Sequence, residues 1–246
     1  MENNVISKTV YILKMFVDIK SEWGVRDLSK EIGIPVATTH RILQKLEHEG
    51  LLKYSDSRKK YSIGTEWYRI SNKLISEFDV KNLVNPYLRR LAEKHEETFC
   101  FVLYSEYDQA IIYFDQYKGP SALQYMLPFG VPQPIPYGAS GKAILAYLTE
   151  DEVEVICKKE GFSEKEINII KNECESIRSK GYCISVGERI IGARGFSTPI
   201  LNDSNRPIGC ILLTTPQQKK IKFTDKYIIE DLLQTSKEIS KDIGFK

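Results

Sequence analysis

No stretch of the chain approaches the roughly 20 consecutive apolar residues that a membrane-spanning helix needs. The net charge is only +2. A net charge so close to zero does not by itself identify a nucleic acid or an acidic substrate as the partner. Glu2 stands where a signal peptide carries basic residues, and no apolar segment follows it. We therefore expect a cytoplasmic protein that has no membrane partner.

Cysteine and histidine are also scarce. The five cysteines are scattered and never spaced C-x-x-C, so we expect reduced thiols that serve as small core residues. The three histidines have no metal-ligand spacing with cysteines or carboxylates, and we expect them at the surface. Neither a metal nor another cofactor is expected. The residues concerned are Cys100, Cys157, Cys174, Cys183, Cys210, His40, His48 and His95.

The charge that is present is unevenly distributed. Residues 36–62 carry six basic side chains against three acidic ones, whereas the chain from residue 81 onward carries 22 of each sign. A surface that faces phosphates needs a local excess of this kind, although an ordinary solvated face can have the same composition. The six basic residues are Arg41, Lys45, Lys53, Arg58, Lys59 and Lys60.

The first 50 residues have the periodicity of three helices. An apolar stripe at spacings i, i+4, i+7 and i+11 indicates an amphipathic helix that is broken at Trp23. A short helix is predicted over residues 25–32, and a third from Pro35 to about Glu49, closed by Gly50. The glycine-containing turn at 33–35 then predicts a helix-turn-helix. The stripe consists of Ile6, Val10, Leu13 and Val17.

The third helix has two distinct faces and is followed by a hairpin. Residues 51–54 and 61–63 read as short strands around a polar, basic loop at 55–60. A helix that enters the major groove beside a basic hairpin is a winged helix-turn-helix; the alternative is a three-helix bundle with a hairpin that binds nothing. Predicted inward residues are Thr39, Ile42, Leu43 and Leu46; predicted outward residues are Thr38, Arg41, Lys45 and His48, beside Ala37 and Gln44.

The remainder of the chain mixes strands and helices. Asn85 and Pro86 have the chemistry of an N-cap and first position of a helix. Capping boxes beginning at Thr149 and Ser163 predict two more helices, and a last helix begins near Asp225. The order predicts an α+β fold with an antiparallel sheet flanked by helices. Strands are predicted at 98–104, 109–116, 122–127, 182–186, 194–200 and 207–215, and a helix opens at 139–143.

These motifs together resemble the IclR-type (isocitrate lyase regulator) transcription factors over nearly the whole chain. The N-terminal likeness lies in residues 25–35 (VRDLSKEIGIP), 37–50 (ATTHRILQKLEHEG) and 61–64 (YSIG). The C-terminal likeness lies in 139–143 (ASGKA), 181–182 (GY), 187–188 (GE) with Gly192 four residues on, 198–200 (TPI) and 212–216 (LLTTP). The family usually has Lys-Ser-Thr after the proline, where this chain has Val36, Ala37 and Thr38.

The resemblance implies three segments: a winged helix-turn-helix at 1–64, a linker helix at 65–80 that helps to pair subunits, and a GAF-like effector-binding and oligomerisation domain at 81–246. We expect a regulator of transcription that binds a double-stranded DNA operator as a homodimer, with a tetramer left open. Arg41 is the candidate for a base contact, and Lys45, Arg58 and Lys59 are candidates for phosphate contacts. The full set of candidate DNA contacts is Arg26, Val36, Ala37, Thr38, Arg41, Gln44, Lys45, Arg58, Lys59 and Lys60.

In the family, free amides at a helix N-terminus hold an effector acid, which matches Ala139, Ser140 and Gly141 here. The resemblance adds polar positions on nearby strands at Ser185, Gly195, Leu212 and Thr214, with Tyr125 lining the cavity. Members that bind small oxo-acids usually carry Asp, Cys and Ser at the first three of those strand positions. Because Leu212 would leave a small polar acid with unmade hydrogen bonds, we expect a larger, partly apolar or aromatic carboxylate. The alternative is that Ser140 and Gly141 only begin a packed helix.

Motifs for catalysis fail on spacing. A phosphate-binding loop ending at Gly141-Lys142 would need glycine at Pro136 and a hydroxyl residue at Ala143. Gly138 to Gly141 is one residue too short for a nucleophile elbow. We therefore expect no catalytic residues. An enzyme that carries a winged helix and acts on the bound acid is the rival hypothesis, and a protein-interaction scaffold that has no DNA affinity is the third.

Overall fold

The computed structural model describes residues 4–77, 79–120, 125–219 and 222–244. The chain divides into two compact units, Met1–Phe78 and Asp79–Lys246. None of the helices in the described ranges is both long enough and apolar enough to cross a bilayer.

The N-terminal unit is a winged helix-turn-helix, as the sequence predicts. Its core is formed by α1, α2, α3 and the hairpin, with Leu28, Leu43 and Trp23 almost fully buried. The strands β1, β3 and β2 lie side by side in one antiparallel sheet. The elements are α1 Val5–Lys14, a π-helical turn Met15–Ile19, β1 Glu22–Trp23, α2 Val25–Ile32, α3 Val36–His48, β2 Leu52–Ser55, β3 Lys60–Ile63 and α4 Glu66–Glu77.

Two buried hydroxyl groups fix the turn between α2 and α3. Ser29 donates a hydrogen bond to the Ile34 carbonyl at 2.6 Å, and Thr39 donates to the same oxygen at 3.4 Å. Gly33 adopts the left-handed conformation, with φ of 67°, that this turn requires. One carbonyl therefore links the end of α2 to the first turns of α3, which sets the angle at which α3 leaves the core.

Three of the four residues of the apolar stripe that indicates α1, namely Ile6, Val10 and Val17, are exposed, and only Leu13 packs against the core. Ile6 is 74% exposed and Val17 is 67% exposed, whereas Ile12, Met15 and Phe16 face the core. A helix with apolar residues on two sides gives the same periodicity whichever side is buried, so the pattern alone cannot choose between them.

The C-terminal unit is built on one six-stranded antiparallel sheet in the order β6-β5-β4-β9-β8-β7. Its prediction as an antiparallel sheet with packed helices is confirmed. The elements are α5 Asp79–His95, β4 Phe99–Ser105, β5 Ala110–Tyr117, β6 Gln133–Pro134, α6 Gly138–Leu145, α7 Glu150–Lys159, α8 Glu164–Lys180, β7 Cys183–Val186, β8 Ala193–Leu201, β9 Pro207–Pro216 and α9 Asp225–Gly244.

Both faces of this sheet are buried by helices. In β4, Phe99 and Phe101 point to the layer formed by α5 and α9, while Cys100 and Val102 point to the layer formed by α6, α7 and α8. The strand β9 alternates in the same way. All five cysteines are buried with free thiols, as expected, in the α6–α8 layer. Burial raises the pKa of Cys100, Cys174, Cys183 and Cys210 to about 12.

In this unit the sequence correctly predicts features that depend on residues close together in the chain. Both predicted capping boxes are formed: Thr149 with Glu152 opens α7, and Ser163 with Glu166 opens α8. The strand predicted at 122–127 is wrong over 125–127, which is irregular, and 121–124 lie outside the described residues. The outer edge of β5 instead pairs with β6, and Phe129 forms a single bridge to Tyr113.

The prediction that Asn85 and Pro86 begin a helix is wrong. The helix α5 already begins at Asp79 and contains Pro86. Val84 and Leu88, both fully buried, continue one apolar face across the proline, and this burial outweighs the loss of one backbone donor. Asn85 does not cap the helix; its amide donates to Asp115 of β5 at 3.0 Å.

The expectation that all three histidines lie at the surface is wrong for His95, which is 2% exposed. Its Nε2 lies 2.7 Å from Oδ2 of Asp231 in α9, while its Nδ1 is buried without a hydrogen-bond partner among the described residues. Phe99, Phe223 and Tyr227 surround the ring. Burial lowers the pKa of His95 more than Asp231 raises it, because protonation would leave a buried N–H unpaired.

We predict that the free energy of unfolding decreases as the pH is lowered below about 6.5, the pKa of an unfolded histidine. The unfolded chain takes up a proton there that folded His95 does not, so the free energy of unfolding drops by up to about 1.4 kcal/mol per pH unit until the folded pKa is reached. Urea unfolding at pH 7.5 and 5.5 measures this. The His95→Gln variant, which keeps a donor for Asp231, should lose less over the same range; an equal loss in both proteins would contradict the assignment.

Candidate functional site

The outward face of α3 presents a mixed polar surface to solvent. Arg41, Gln44 and Lys45 are exposed, as predicted, while the inward set of four is buried. The first turn adds Val36 and Ala37, both exposed, and Thr38, which is half-buried. Arg26, at the start of α2, is exposed as well. Below we call Val36, Ala37, Thr38, Arg41, Gln44 and Lys45 the α3 face.

The hairpin β2–β3 carries its basic residues at the tip, and Arg58, Lys59 and Lys60 are all exposed. Arg58 is committed to a neighbour, because its guanidinium lies 2.5 Å from the carboxylate of Glu22 in β1. Lys59 lies at the tip in the left-handed conformation, and its ammonium is 3.7 Å from Asp56. A phosphate at the tip therefore competes with Asp56 for Lys59 and with the closer Glu22 for Arg58.

The C-terminal unit contains a small cleft, with a cavity volume of about 30 Å³, between the start of α6 and the strands β7, β8 and β9. Six of the eight predicted effector positions line it: Ala139, Ser140, Ser185, Gly195, Leu212 and Thr214. The other lining residues, which are not among the predicted effector positions, are Tyr113, Gly138, Gly187, Glu188, Arg189, Ile190 and Ala193.

Gly141 and Tyr125 do not line the cleft. A Cβ atom on Gly141 would lie 1.9 Å from the Ile135 carbonyl oxygen, so glycine here permits a close backbone approach. Tyr125 donates its hydroxyl to the carbonyl of Gly192 at 2.9 Å, which ties the segment before β6 to the loop between β7 and β8. Both residues shape the surroundings of the cleft.

The first amides of α6 are bonded to side chains from other elements. Ser185 of β7 accepts a hydrogen bond from the Ala139 amide at 2.8 Å, and Glu188 accepts one from Gly138 at 3.2 Å. The residue that precedes the helix, Tyr137, makes no side-chain cap. Ser185 therefore acts as an N-cap supplied from a neighbouring strand.

Two titratable groups near the cleft, Lys142 and Tyr113, have shifted pKa values. Lys142 lies 2.8 Å from Glu188 and 3.0 Å from Glu173. Burial alone would lower the pKa of Lys142, but its hydrogen bonds with Glu188 and Glu173 raise it. On the other wall, burial raises the pKa of Tyr113, against the opposing effects of the Arg189 charge and of a hydrogen bond with Ser140.

The space beside Gly195 is narrow. A Cβ atom there would lie 3.1 Å from Cβ of Ala139 and 3.3 Å from Oγ of Ser185. Leu212 adds an apolar wall opposite, with its Cδ1 3.7 Å from the same point. The cleft therefore combines hydroxyl and cationic groups at one side with an apolar wall at the other.

We predict that Ser185→Ala lowers the free energy of unfolding by about 1 kcal/mol, because it leaves the buried Ala139 amide without an acceptor. Urea unfolding followed by circular dichroism measures the change. Ser179→Ala, at an exposed position on α8, is the matched control and should be near neutral. Equal midpoints for the two variants would show that the Ser185 bond does not stabilise α6.

Comparison with known proteins identifies the same two regions. The model of the IclR helix-turn-helix domain matches residues 5–56, and that of the bacterial transcriptional regulator IclR C-terminal domain matches residues 72–241. The transcriptional repressor IclR of Escherichia coli K12 is 21% identical over 97% of this chain and 89% of that protein. The HTH-type transcriptional repressor AllR of Salmonella typhimurium LT2 is 25% identical over 91% and 84%.

A solved structure has the same fold. It is that of an IclR homolog complexed with 4-hydroxybenzoate from Microbacterium hydrocarbonoxydans. It is 15% identical, with a TM-score of 0.79 over 99% of this chain and all of that one. The winged helix-turn-helix, the C-terminal sheet with its cleft, and the two family matches together lead to one conclusion: the chain is a DNA-binding transcriptional regulator and belongs to the IclR family.

Proposed function

We propose that the chain binds a roughly palindromic operator as a homodimer, and that a carboxylate bound in the C-terminal cleft sets its operator affinity. The observation that carries the DNA part is the α3 face, where Arg41, Gln44 and Lys45 stand exposed beside the basic hairpin tip. In winged helix-turn-helix proteins a helix so placed enters the major groove, and the wing reaches flanking phosphate or the minor groove.

Arg41 is the proposed base contact, because a guanidinium can bind O6 and N7 of one guanine at the same time. Lys45 and Lys59 are proposed phosphate contacts, and Arg58 joins them once its pair with Glu22 opens. Side chains that neutralise phosphates add affinity for every sequence alike and make binding depend on salt.

The exposed apolar side of α1 supports self-association. Val5, Ile6, Val10, Tyr11 and Val17 are each more than 40% exposed on this short segment. An apolar surface of this kind is expected to be covered, and two-fold pairing is the commonest way to do so. A dimer would present two α3 helices to half-sites about 34 Å apart, or a multiple of that distance. Pairing of dimers into a tetramer is left open.

For the effector we propose a carboxylate with an apolar or aromatic body. Leu212, Tyr113 and Ile190 give the cleft apolar surface, while Ser140, Ser185 and Arg189 supply polar groups. The relative that is complexed with 4-hydroxybenzoate supports this class. Binding that favours one arrangement of the dimer changes the spacing of the two α3 helices and thereby shifts operator affinity.

We further propose that the protein acts by binding and not by catalysis, in the cytoplasm. The names of its relatives as repressors support the first part. The second is supported by the five cysteines, which are all free thiols in the structure, because disulfides are rare in the cytosol.

We predict that Arg41→Ala weakens binding to the DNA upstream of the protein's own gene by about 1–3 kcal/mol and relaxes specificity at one base pair. Arg41→Lys keeps the charge but loses the bidentate fork, so it should retain non-specific affinity and lose the same discrimination. Fluorescence anisotropy with single-base operator variants measures both. Unchanged discrimination in both variants would remove Arg41 from base recognition.

A separate prediction concerns the wing. Lys59→Ala should weaken binding to all sequences alike and reduce the slope of log affinity against log salt by about one unit. The matched control is Lys165→Ala, at an exposed position on α8, which should leave the slope unchanged. A change of sequence preference in Lys59→Ala would show instead that the wing reads bases.

The proposed effector class predicts a ranking by calorimetry. 4-Hydroxybenzoate should bind more tightly than glyoxylate or pyruvate, because a small polar acid leaves hydrogen bonds unmade beside Leu212. If glyoxylate or pyruvate binds tightly and aromatic acids do not bind, the proposed effector class is wrong.

A further inference from the structure

Arg189, in the loop between β7 and β8, contributes an incompletely bonded cation to the cleft. Its Nη2 donates to the carbonyl oxygens of Pro134 and Tyr137, both at 2.6 Å. Its Nε is buried and has no hydrogen-bond partner among the residues that the structure describes. A buried donor without an acceptor costs free energy, so a group that brings an acceptor to Nε is favoured there.

Among the described residues no carboxylate forms a salt bridge with Arg189, and Glu188 acts on its charge only at longer range. Oε2 of Glu188 instead lies 2.8 Å from the Lys142 ammonium and accepts from the Gly138 amide at 3.2 Å. The two acceptors that Arg189 does have are neutral carbonyls. Burial lowers the pKa of the guanidinium, yet arginine stays protonated, so the cleft wall holds a partly desolvated positive charge.

Two amides at the start of α6 are weaker anchors for an anion than Arg189. The Gly138 and Ala139 amides already donate to Glu188 and Ser185, and both bonds would have to break before a ligand could use those amides. Nε of Arg189 needs no such exchange. A hydrogen bond between a guanidinium and a carboxylate is also about twice as strong as one between neutral groups.

We propose that Arg189 is the residue that anchors the carboxylate of the effector, and that it makes the cleft selective for monocarboxylates over neutral molecules of the same shape. This rests on the proposed function, because it concerns the same cleft. One carboxylate oxygen accepts from Nε, and the body of the ligand lies against Leu212 and Tyr113. A single positive charge suits a monoanion better than a dianion such as phosphate.

The test compares benzoate with benzamide, its neutral isostere, by calorimetry on the full-length protein. The natural protein should bind benzoate more tightly than benzamide. Arg189→Gln should weaken benzoate binding about 10- to 100-fold, the range for a hydrogen bond to a charged group, and leave benzamide binding unchanged. Arg206→Gln is the matched control, since Arg206 pairs with Glu152 outside the cleft, and it should bind benzoate like the natural protein.

Nη2 of Arg189 also bridges Pro134 and Tyr137, so folding of Arg189→Gln is checked by circular dichroism. A second measurement needs no folded glutamine variant. In the arginine Nε–H nuclear magnetic resonance spectrum of the natural protein, the Arg189 signal, assigned as the one missing from Arg189→Lys, should move downfield when benzoate is added.

Three results would overturn the proposal: benzoate binding that Arg189→Gln leaves unchanged, an Nε–H signal that benzoate does not move, or no benzoate binding by the natural protein. Operator binding by the same preparations is measured in parallel. If operator binding persists while the benzoate results fail, the carboxylate anchor is wrong and the DNA-binding function stands; if operator binding is also absent, the proposed function itself fails.

Discussion

The position of the cleft depends on one constraint, the burial of both faces of the C-terminal sheet. Alternate residues of β4 and β9 point to opposite helical layers, with α5 and α9 on one side and α6, α7 and α8 on the other. Burial of apolar area is the dominant favourable term in folding, so the helices are held where they cover the sheet. The start of α6 thereby comes to lie against β7, β8 and β9, where polar groups replace the apolar layer.

In the N-terminal unit, the core and the preceding turn fix the orientation of one exposed helix, α3. Its core fixes α3 from below through Ile42, Leu43 and Leu46, and the shared Ile34 carbonyl fixes the turn that precedes it. Arg41, Gln44 and Lys45 of the α3 face are exposed and lie outside this core. Affinity and specificity for DNA can be assigned to them without a cost in stability, which is why conservative changes there are informative.

Much of this could be predicted from the sequence because the signals are local. The start of α2, both capping boxes and the first residue of α9 follow from residues within four positions of each other. The beginning of α5 could not, since Pro86 and Asn85 give a strong local signal that burial of Val84 and Leu88 overrides. The contacts of Arg189 could not be predicted from the sequence either, because the carbonyl groups that it binds lie more than 50 residues away in the chain. Motif matching found Ser185, Gly195 and Leu212 through resemblance, but resemblance does not point to a residue outside the family's motifs.

The central claim is that the cleft and the α3 face are thermodynamically coupled. The most direct test measures operator affinity by fluorescence anisotropy with and without saturating 4-hydroxybenzoate, and then ligand affinity by calorimetry with and without saturating operator DNA. Coupling is reciprocal, so the account predicts that the two affinities change by the same factor, expected to be about 5- to 150-fold. Tight binding of both partners with no effect of either on the other would contradict it, because the protein would then bind DNA and ligand without regulation.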